Sequence, residues 1–341
     1  MISVAIIGGS GYTGKYIVKF CNNHPFINDF EIYANKSADK SIHEVFPELV
    51  CEVEDKVIRS TKNLEYHHDV YFLALPHGES LNFVPKLIEN DKIVIDLGAD
   101  YRLDDYQNFM QTYNLNHSHP NLLKEKNYGL AEFNDKYSYN LIANPGCYPT
   151  AALLSIIPIV KNYSNSIQNI STIAYSGLSG AGKKVAQDML FAENYNSVKA
   201  YNIGTHRHEA EISQEINKFG IEIDYSLTTH LLPIFSGIYS TTIIHLSDEV
   251  FENEIKASFN QHFEDSAFIR LRENPPELKW AIGTNYCDIN VKCLGKKIIV
   301  TAAIDNLIKG AAGQAIQNMN KLFGWKEYLG INSYKEELEN V

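Results

Sequence analysis

The chain has 341 residues, 45% of them apolar and 21% charged, enough for about two domains with sizeable cores and too apolar for global disorder. Lys and Arg number 30 against 41 Asp and Glu, a net charge of −11 that works against the concentrated basic surface of general nucleic-acid binding. The five cysteines never occur as C-x-x-C, the opening MISVAIIGG lacks a basic leader, and no apolar run reaches the ~18 residues of a membrane span. The expectation is a reduced, soluble, cytoplasmic protein without a disulfide framework or zinc site.

In chain order, Ser3–Ile7 reads as a buried strand bounded by glycines, and Tyr16–Phe20 as the body of a helix. Phe30–Ala34, Val70–Leu75, Ile93–Leu97 and Leu141–Ala143 read as further buried strands, with Ser80–Glu89 helical in spacing between two of them. Buried strands alternating with helices predict a parallel sheet covered on both faces. From Pro149 to about Val160 the chain reads as a helix, with proline at an early position. The strand candidates Ile170–Tyr175, Tyr225–Leu231, Ile238–His245, Asp288–Cys293 and Lys297–Ile304 follow, several alternating in polarity as one-face-wet strands do. A helical stretch, Ala210–Phe219, interrupts them, and Asn306–Leu322 closes the pattern as a helix with small residues at 310–313. The expected fold class is α/β: a Rossmann-type parallel sheet domain plus an α+β domain with a mostly antiparallel sheet.

Five motifs carry chemistry. Gly9-Ser10-Gly11-Tyr12-Thr13-Gly14 follows a strand and opens a helix, the pattern that admits a pyrophosphate to a helix N-terminus. The second strand candidate is followed by Asn35-Lys36-Ser37 rather than by the acid that takes a ribose 2′-OH, and Glu31 sits at the strand's wrong end. Lys36 and Ser37 suit a 2′-phosphate, which points to NADP. In Asn144-Pro145-Gly146-Cys147 the cysteine falls at a helix start, where a thiolate is favoured. The residues alone leave Cys147 either a nucleophile or a packed thiol. His206-Arg207-His208 precedes the helical stretch and suits an acid/base or polar site; as a metal pair it lacks a convincing third ligand, so no metal is expected. Gly177–Lys183 fits the start of an ATPase phosphate loop, but Lys184 stands where Ser or Thr must hold Mg²⁺. Arg102, in Asp96–Arg102 at a strand's C-terminal end, suits a carboxylate or phosphate fork, or else a surface ion pair with Asp100 or Asp104.

Together GGSGYTG, FLALPHGES, DLGADYRL, NPGCYPTA, SGLSGAGKK, GTHRHEAEI, HLLPIFSGIYST and KGAAGQAIQ resemble, in this order, the N-acetyl-γ-glutamyl-phosphate reductases of the aspartate-semialdehyde dehydrogenase-like group. The resemblance runs from Met1 to about Gly324. It departs where the family has serine (Gly98 here) and proline (Ala210 here), beside functional positions rather than at them. It implies NADPH-dependent reduction of an acyl phosphate to a semialdehyde in arginine biosynthesis, through a Cys147 thioester, with His208 as acid/base. His206, Arg102, Arg207 and Lys183 would face the substrate. Gly8, Gly9, Ser10, Gly11, Tyr12, Thr13 and Gly14 would hold the pyrophosphate, and Lys36 and Ser37 the 2′-phosphate. Pro76, His77, Ser179, Gly180 and Asn306 would complete the cofactor site. The implied division is an NADP-binding domain of 1–147 and 306–341 and a catalytic and dimerisation domain of 148–305, in a homodimer or homotetramer without nucleic-acid or membrane partners. The rival readings are a related acyl-phosphate reductase, acting on aspartyl phosphate or another acyl or carrier-linked acid, and a non-catalytic NADP-sensing Rossmann protein.

Overall fold

Short runs of Ile, Val, Leu and Phe, too brief for helices and buried on both faces, build the first half of the chain. In the computed structural model, which describes residues 1–183 and 187–331 without the side chains of Asp188 and Phe191, they form a six-stranded sheet. The chain separates into two compact units, Met1–Pro145 with the residues from Ala311 on, and Gly146–Gly310. Lys184 and the chain beyond 331 lie outside the described residues.

The first unit holds β1 (Ile2–Ile7), α1 (Tyr12–Asn22), β2 (Ile27–Tyr33), α2 (Ile42–Val45), β3 (Val70–Leu73), α3 (Val84–Glu89), β4 (Ile93–Asp96), α4 (Tyr106–Tyr113), β5 (Asn127–Tyr128) and β6 (Leu141–Ala143). The strand order is β2-β1-β3-β4-β6-β5, and every pairing is parallel. Val4–Ile7 and Val70–Leu73 are fully buried. The expected helix over 80–89 is α-helical only from Val84, after a 3₁₀ turn at Ser80–Asn82. The buried Asp100 carboxylate holds the N–H groups of Gly78 and Ser80, so the chain enters as a turn and the helix begins where Pro85 fits its first residues.

The second unit opens with α5 (Cys147–Tyr163) and continues through β7 (Ile167–Ser176), α6 (Phe191–Asn194), β8 (Lys199–Tyr201), α7 (His208–Asn217), β9 (Tyr225–Leu231), β10 (Ile238–Leu246), α8 (Glu252–Phe263), β11 (Ile269–Leu271), β12 (Cys287–Leu294) and β13 (Lys297–Ile304). Its sheet runs β11-β12-β13-β10-β7-β9-β8, antiparallel except at β11–β12 and β7–β9. β10 alternates buried and half-buried residues along its length. The buried face lies under α5, which packs on β7, β10 and β13 and against α7 and α8.

Asn306–Leu322, read as one helix, is a turn, then a π-helical turn at Ile308–Ala312, then α9 (Gly313–Leu322). Asp305 Oδ1 accepts the N–H groups of Leu307 and Ile308, so Asn306 stands before the helix, and Gly310 N–H bonds back to the Asp305 carbonyl. α9 belongs to the first unit and packs on α1. Among the described residues no helix is long and apolar enough to cross a membrane.

Candidate active site

Each unit has a helix with a bare start just after a strand and turn: α1, which follows β1, and α5, with which the second unit opens. In the first, Gly11 caps α1 with no side-chain hydrogen bond. Gly8 has φ +89°, and a Cβ there would lie 2.2 Å from the Ala74 carbonyl oxygen, so only glycine makes this turn. A Cβ on Gly14 would strike the Gly8 oxygen at 2.4 Å, which is how closely helix and turn approach. At Gly11 the nearest atom to such a Cβ is 3.4 Å away. The cradle is tight behind and open in front, as a dinucleotide pyrophosphate requires. Ser10, Tyr12 and Thr13 line this turn, half-buried. Lys36 is exposed and Ser37 half-exposed just past the β2 tip.

Pro76 and His77 follow β3. His77 Nδ1 lies 2.6 Å from Asp100 Oδ1. Asp96 is fully buried, accepting from Ser80 Oγ and Gly98 N. Burial and then the neighbouring Asp100 charge push its carboxyl up to about 7. A Cβ at Gly98 would come within 2.9 Å of that carboxyl, so Asp96 closes over the glycine that replaces the family's serine. Arg102 is buried and donates from Nε to the Asn144 carbonyl and from Nη2 to the Leu97 carbonyl, each at 2.8 Å. It braces the two strand ends as well as carrying a charge.

In the second unit Cys147 is the first residue of α5, which Gly146 caps without a side-chain hydrogen bond. Two side chains of α7 converge on this turn. Glu211, wholly buried, accepts the Gly146 N–H at 2.9 Å. His208 Nε2 lies 2.5 Å from where a Gly146 Cβ would be, so the imidazole rests on the peptide that precedes the thiol. Three residues apart, His208 and Glu211 share one helix face. Gly310 closes the other side, where a Cβ would lie 2.7 Å from Cys147 Cβ. The π turn brings that glycine against the Cys147 Cα and Cβ, and π-helical turns recur at functional sites.

The two histidines differ. The His208 backbone N–H donates to His206 Nδ1 at 3.2 Å, which fixes His206 as the neutral tautomer protonated at Nε2. Burial, and then the Arg207 charge, push His206 down to about 4. The rings lie 4.8 Å apart, with Tyr148 edge-on to both. The Tyr148 and Tyr201 hydroxyls share a 2.7 Å hydrogen bond. Burial pushes Tyr201 up to about 12 and Tyr148 still higher, so both keep their protons.

Arg207 and Lys183 are exposed. Asn306 is engaged within the unit: Oδ1 accepts from Gly237 N at 2.7 Å and Nδ2 donates to Ser179 Oγ at 3.1 Å. Ser179 is buried and Gly180 exposed. The loop 177–183 holds a 3₁₀ turn at Leu178–Ala181, and residues 177–179 are pinned to residues 234–237 by backbone hydrogen bonds. Sequence reasoning missed Glu211, whose only signal is an acid three residues after His208; the small residues at 310–313 signalled a close backbone approach but not that Gly310 meets Cys147.

Fold and site define a dinucleotide-dependent oxidoreductase of the semialdehyde dehydrogenase type. Residues 3–139 match the family described as "Semialdehyde dehydrogenase, NAD binding domain", and residues 147–306 that described as "Semialdehyde dehydrogenase, dimerisation domain". Aspartate semialdehyde dehydrogenase II of Vibrio cholerae, solved with ASA, shares the fold with a TM-score of 0.74 at 17% identity, covering 95% of this chain and 98% of that one. The enzyme of Candida albicans, solved with NADP, has a TM-score of 0.66 at 15% identity over 95% and 98% of the two chains. N-acetyl-γ-glutamyl-phosphate reductases of Halothermothrix orenii (37% identical over 340 residues) and Lachnoclostridium phytofermentans (39% over 340) each match 97% of this chain and 98% of their own. The chain belongs to the N-acetyl-γ-glutamyl-phosphate reductase family.

Proposed function

We propose that the chain reduces N-acetyl-γ-glutamyl phosphate to N-acetylglutamate γ-semialdehyde with NADPH, releasing phosphate, as a step of arginine biosynthesis. The observation that carries this reading is the Cys147 turn, held by Glu211 and covered by His208. The Cys147 thiolate attacks the acyl carbon; the C–S bond forms, the C–O bond to phosphate breaks, and phosphate leaves. Nicotinamide, when bound, supplies the hydride that reduces the thioester. His208 takes the thiol proton and shares it with the thiohemiacetal oxygen; as that adduct collapses, the C=O bond re-forms, the C–S bond breaks, the aldehyde leaves and the proton returns to the Cys147 sulfur, a role that needs a pKa near the working pH. His206, neutral and engaged at Nδ1, orients the substrate or its partner histidine. The α5 N-terminus favours the thiolate and then the oxyanion.

Gly8 to Gly14 would hold the pyrophosphate, Lys36 and Ser37 the 2′-phosphate, and Pro76, His77, Ser179, Gly180 and Asn306 the rest of the cofactor. Arg102, Arg207 and Lys183 would take the substrate's phosphate and carboxylate. The half-exposed face of the second sheet, with Ile173, Tyr175, Tyr239 and Ile243, is the surface on which the domain would dimerise. The test is the reverse reaction, with phosphate, NADP⁺ or NAD⁺ and a panel of semialdehydes. The expected result is N-acetylglutamate semialdehyde as preferred substrate and a higher kcat/KM with NADP⁺. Preference for aspartate semialdehyde transfers the reading to a related reductase, and no turnover with any member leaves the NADP-sensing one.

A further inference from the structure

Away from this chemistry, on the first unit's sheet, Glu31, His67 and His68 each direct a metal-ligating atom to one spot, all within 4.8 Å of one another. Glu31 lies in β2, and the histidines lie in the loop before β3. His68 is 1% exposed, yet neither ring nitrogen has a hydrogen-bond partner. Its Nε2 stands 3.2 Å from Glu31 Oε2 but off the direction a hydrogen bond needs. Burying an imidazole without partners is costly. Ligand atoms about 2.0–2.2 Å from a tetrahedral ion sit roughly 3.3–3.6 Å from each other, close to the 3.2 Å between His68 Nε2 and Glu31 Oε2. The His67 and His68 rings are 4.0 Å apart.

The outer partners fit as well. The Tyr33 hydroxyl donates to Glu31 Oε2, and Arg59 Nη2 lies 2.9 Å from Oε1. Ligating carboxylates are characteristically held in this way. His67 is half-exposed, with Nδ1 3.4 Å from Glu65 Oε2, so the site has an open side toward solvent. Two imidazoles and a carboxylate select a borderline first-row divalent ion over Mg²⁺ or Ca²⁺.

We propose that Glu31, His67 and His68 form a Zn²⁺-class site, distinct from the nucleophile and independent of the reductase reading. Bound there, the ion ties the loop carrying His67 and His68 to β2, whose Tyr33 carbonyl receives the Gly8 and Gly9 N–H groups of the glycine turn.

The test is calorimetric titration of Zn²⁺ into the metal-stripped full chain, with Co²⁺ absorption as a readout of coordination. One saturable equivalent is expected. Its affinity should fall by at least about tenfold in Glu31→Gln and in His67→Ala, the loss that even outer-shell partners cause, and hold in Cys147→Ser. The visible Co²⁺ absorption of a four-coordinate ion should vanish in His67→Ala. That variant changes a half-exposed side chain, so folding, checked by circular dichroism, survives it. Absence of a saturable equivalent, retention of it in either ligand variant, or its loss in Cys147→Ser overturns the proposal.

Discussion

The starts of α1 and α5 use one device for two ends. Both follow a parallel strand through a sharp turn, and both are capped by a glycine without a side-chain hydrogen bond. A helix start left bare favours negative charge. At Gly11 the space in front stays open, with nothing nearer than 3.4 Å to a notional Cβ, so the charge must come from a ligand. At Gly146 the space is filled by His208, and on the proposed reading the charge would sit on the chain itself, as Cys147. What separates a binding turn from a reactive one is what the rest of the unit packs against it.

The sharpest way to break this comparison is to remove the thiol. Cys147→Ser should reduce turnover to background while the NADPH dissociation constant, followed by fluorescence, stays within about twofold, since the α1 turn is untouched. Substantial residual turnover would take Cys147 out of the chemistry.

Next in size is the histidine pair. His208→Asn should slow the reaction by about 10²–10⁴-fold, whereas His206→Asn, removing a ring already neutral, should cost less. The pH profile of Cys147 alkylation separates them: reactivity at low pH should disappear in His208→Asn alone.

Glu211→Ala leaves the Gly146 N–H buried without its acceptor, which should cost about 1–3 kcal/mol in denaturant unfolding. A positioning role further requires kcat to fall more than KM rises, with partial recovery in Glu211→Gln. A variant that is destabilised but kinetically normal would make Glu211 a structural cap only.

At the α1 turn, Gly14→Ala forces helix and turn apart and should cost about 1–3 kcal/mol. Gly11→Ala should leave the thermal midpoint nearly unchanged and weaken NADPH. A reversed order would mean that the open space is not where the pyrophosphate sits.

The smallest effects are of opposite sign in the two units. His206 falls from its ordinary 6.5 to about 4 on folding. Its stabilising neutral form is fully present above 6.5 and is lost as pH falls through that window. Asp96 rises from 3.8 to about 7, so its contribution is full below 3.8 and is lost as pH climbs through 7. Both slopes fall between about pH 4 and 7, so urea midpoints there should fall more steeply with rising pH in His206→Asn and rise more steeply in Asp96→Asn, with no change of slope above pH 7.

Much of this was written locally. The glycine turn, the cysteine at a helix start and the apolar strands depend on backbone conformations and burial patterns that span a few residues, and those patterns carry over into β1, β3, β4, β6 and α5. Strands as short as β5 and β11 leave too few residues for a period, and α8 sets only a narrow apolar stripe, Ile255, Phe259 and Phe263, in an otherwise polar segment. The π turn arises because Asp305 ties down the N–H groups after it, a side-chain contact that spacing does not encode. The convergence on Cys147 is less legible still. Glu211 reaches Gly146 across 65 residues, and Gly310 meets the thiol only because an extra residue is folded into its turn. Glu31 lies far in sequence from His67 and His68, brought to them by the parallel order of β2, β1 and β3. Sequence determines which residues have a reactive or unusual chemistry, because that is a property of the side chain and its nearest neighbours. Which of them share a proton, a peptide N–H or an ion is decided by packing, because those interactions reach only a few ångströms and the chain alone does not say what lies within them.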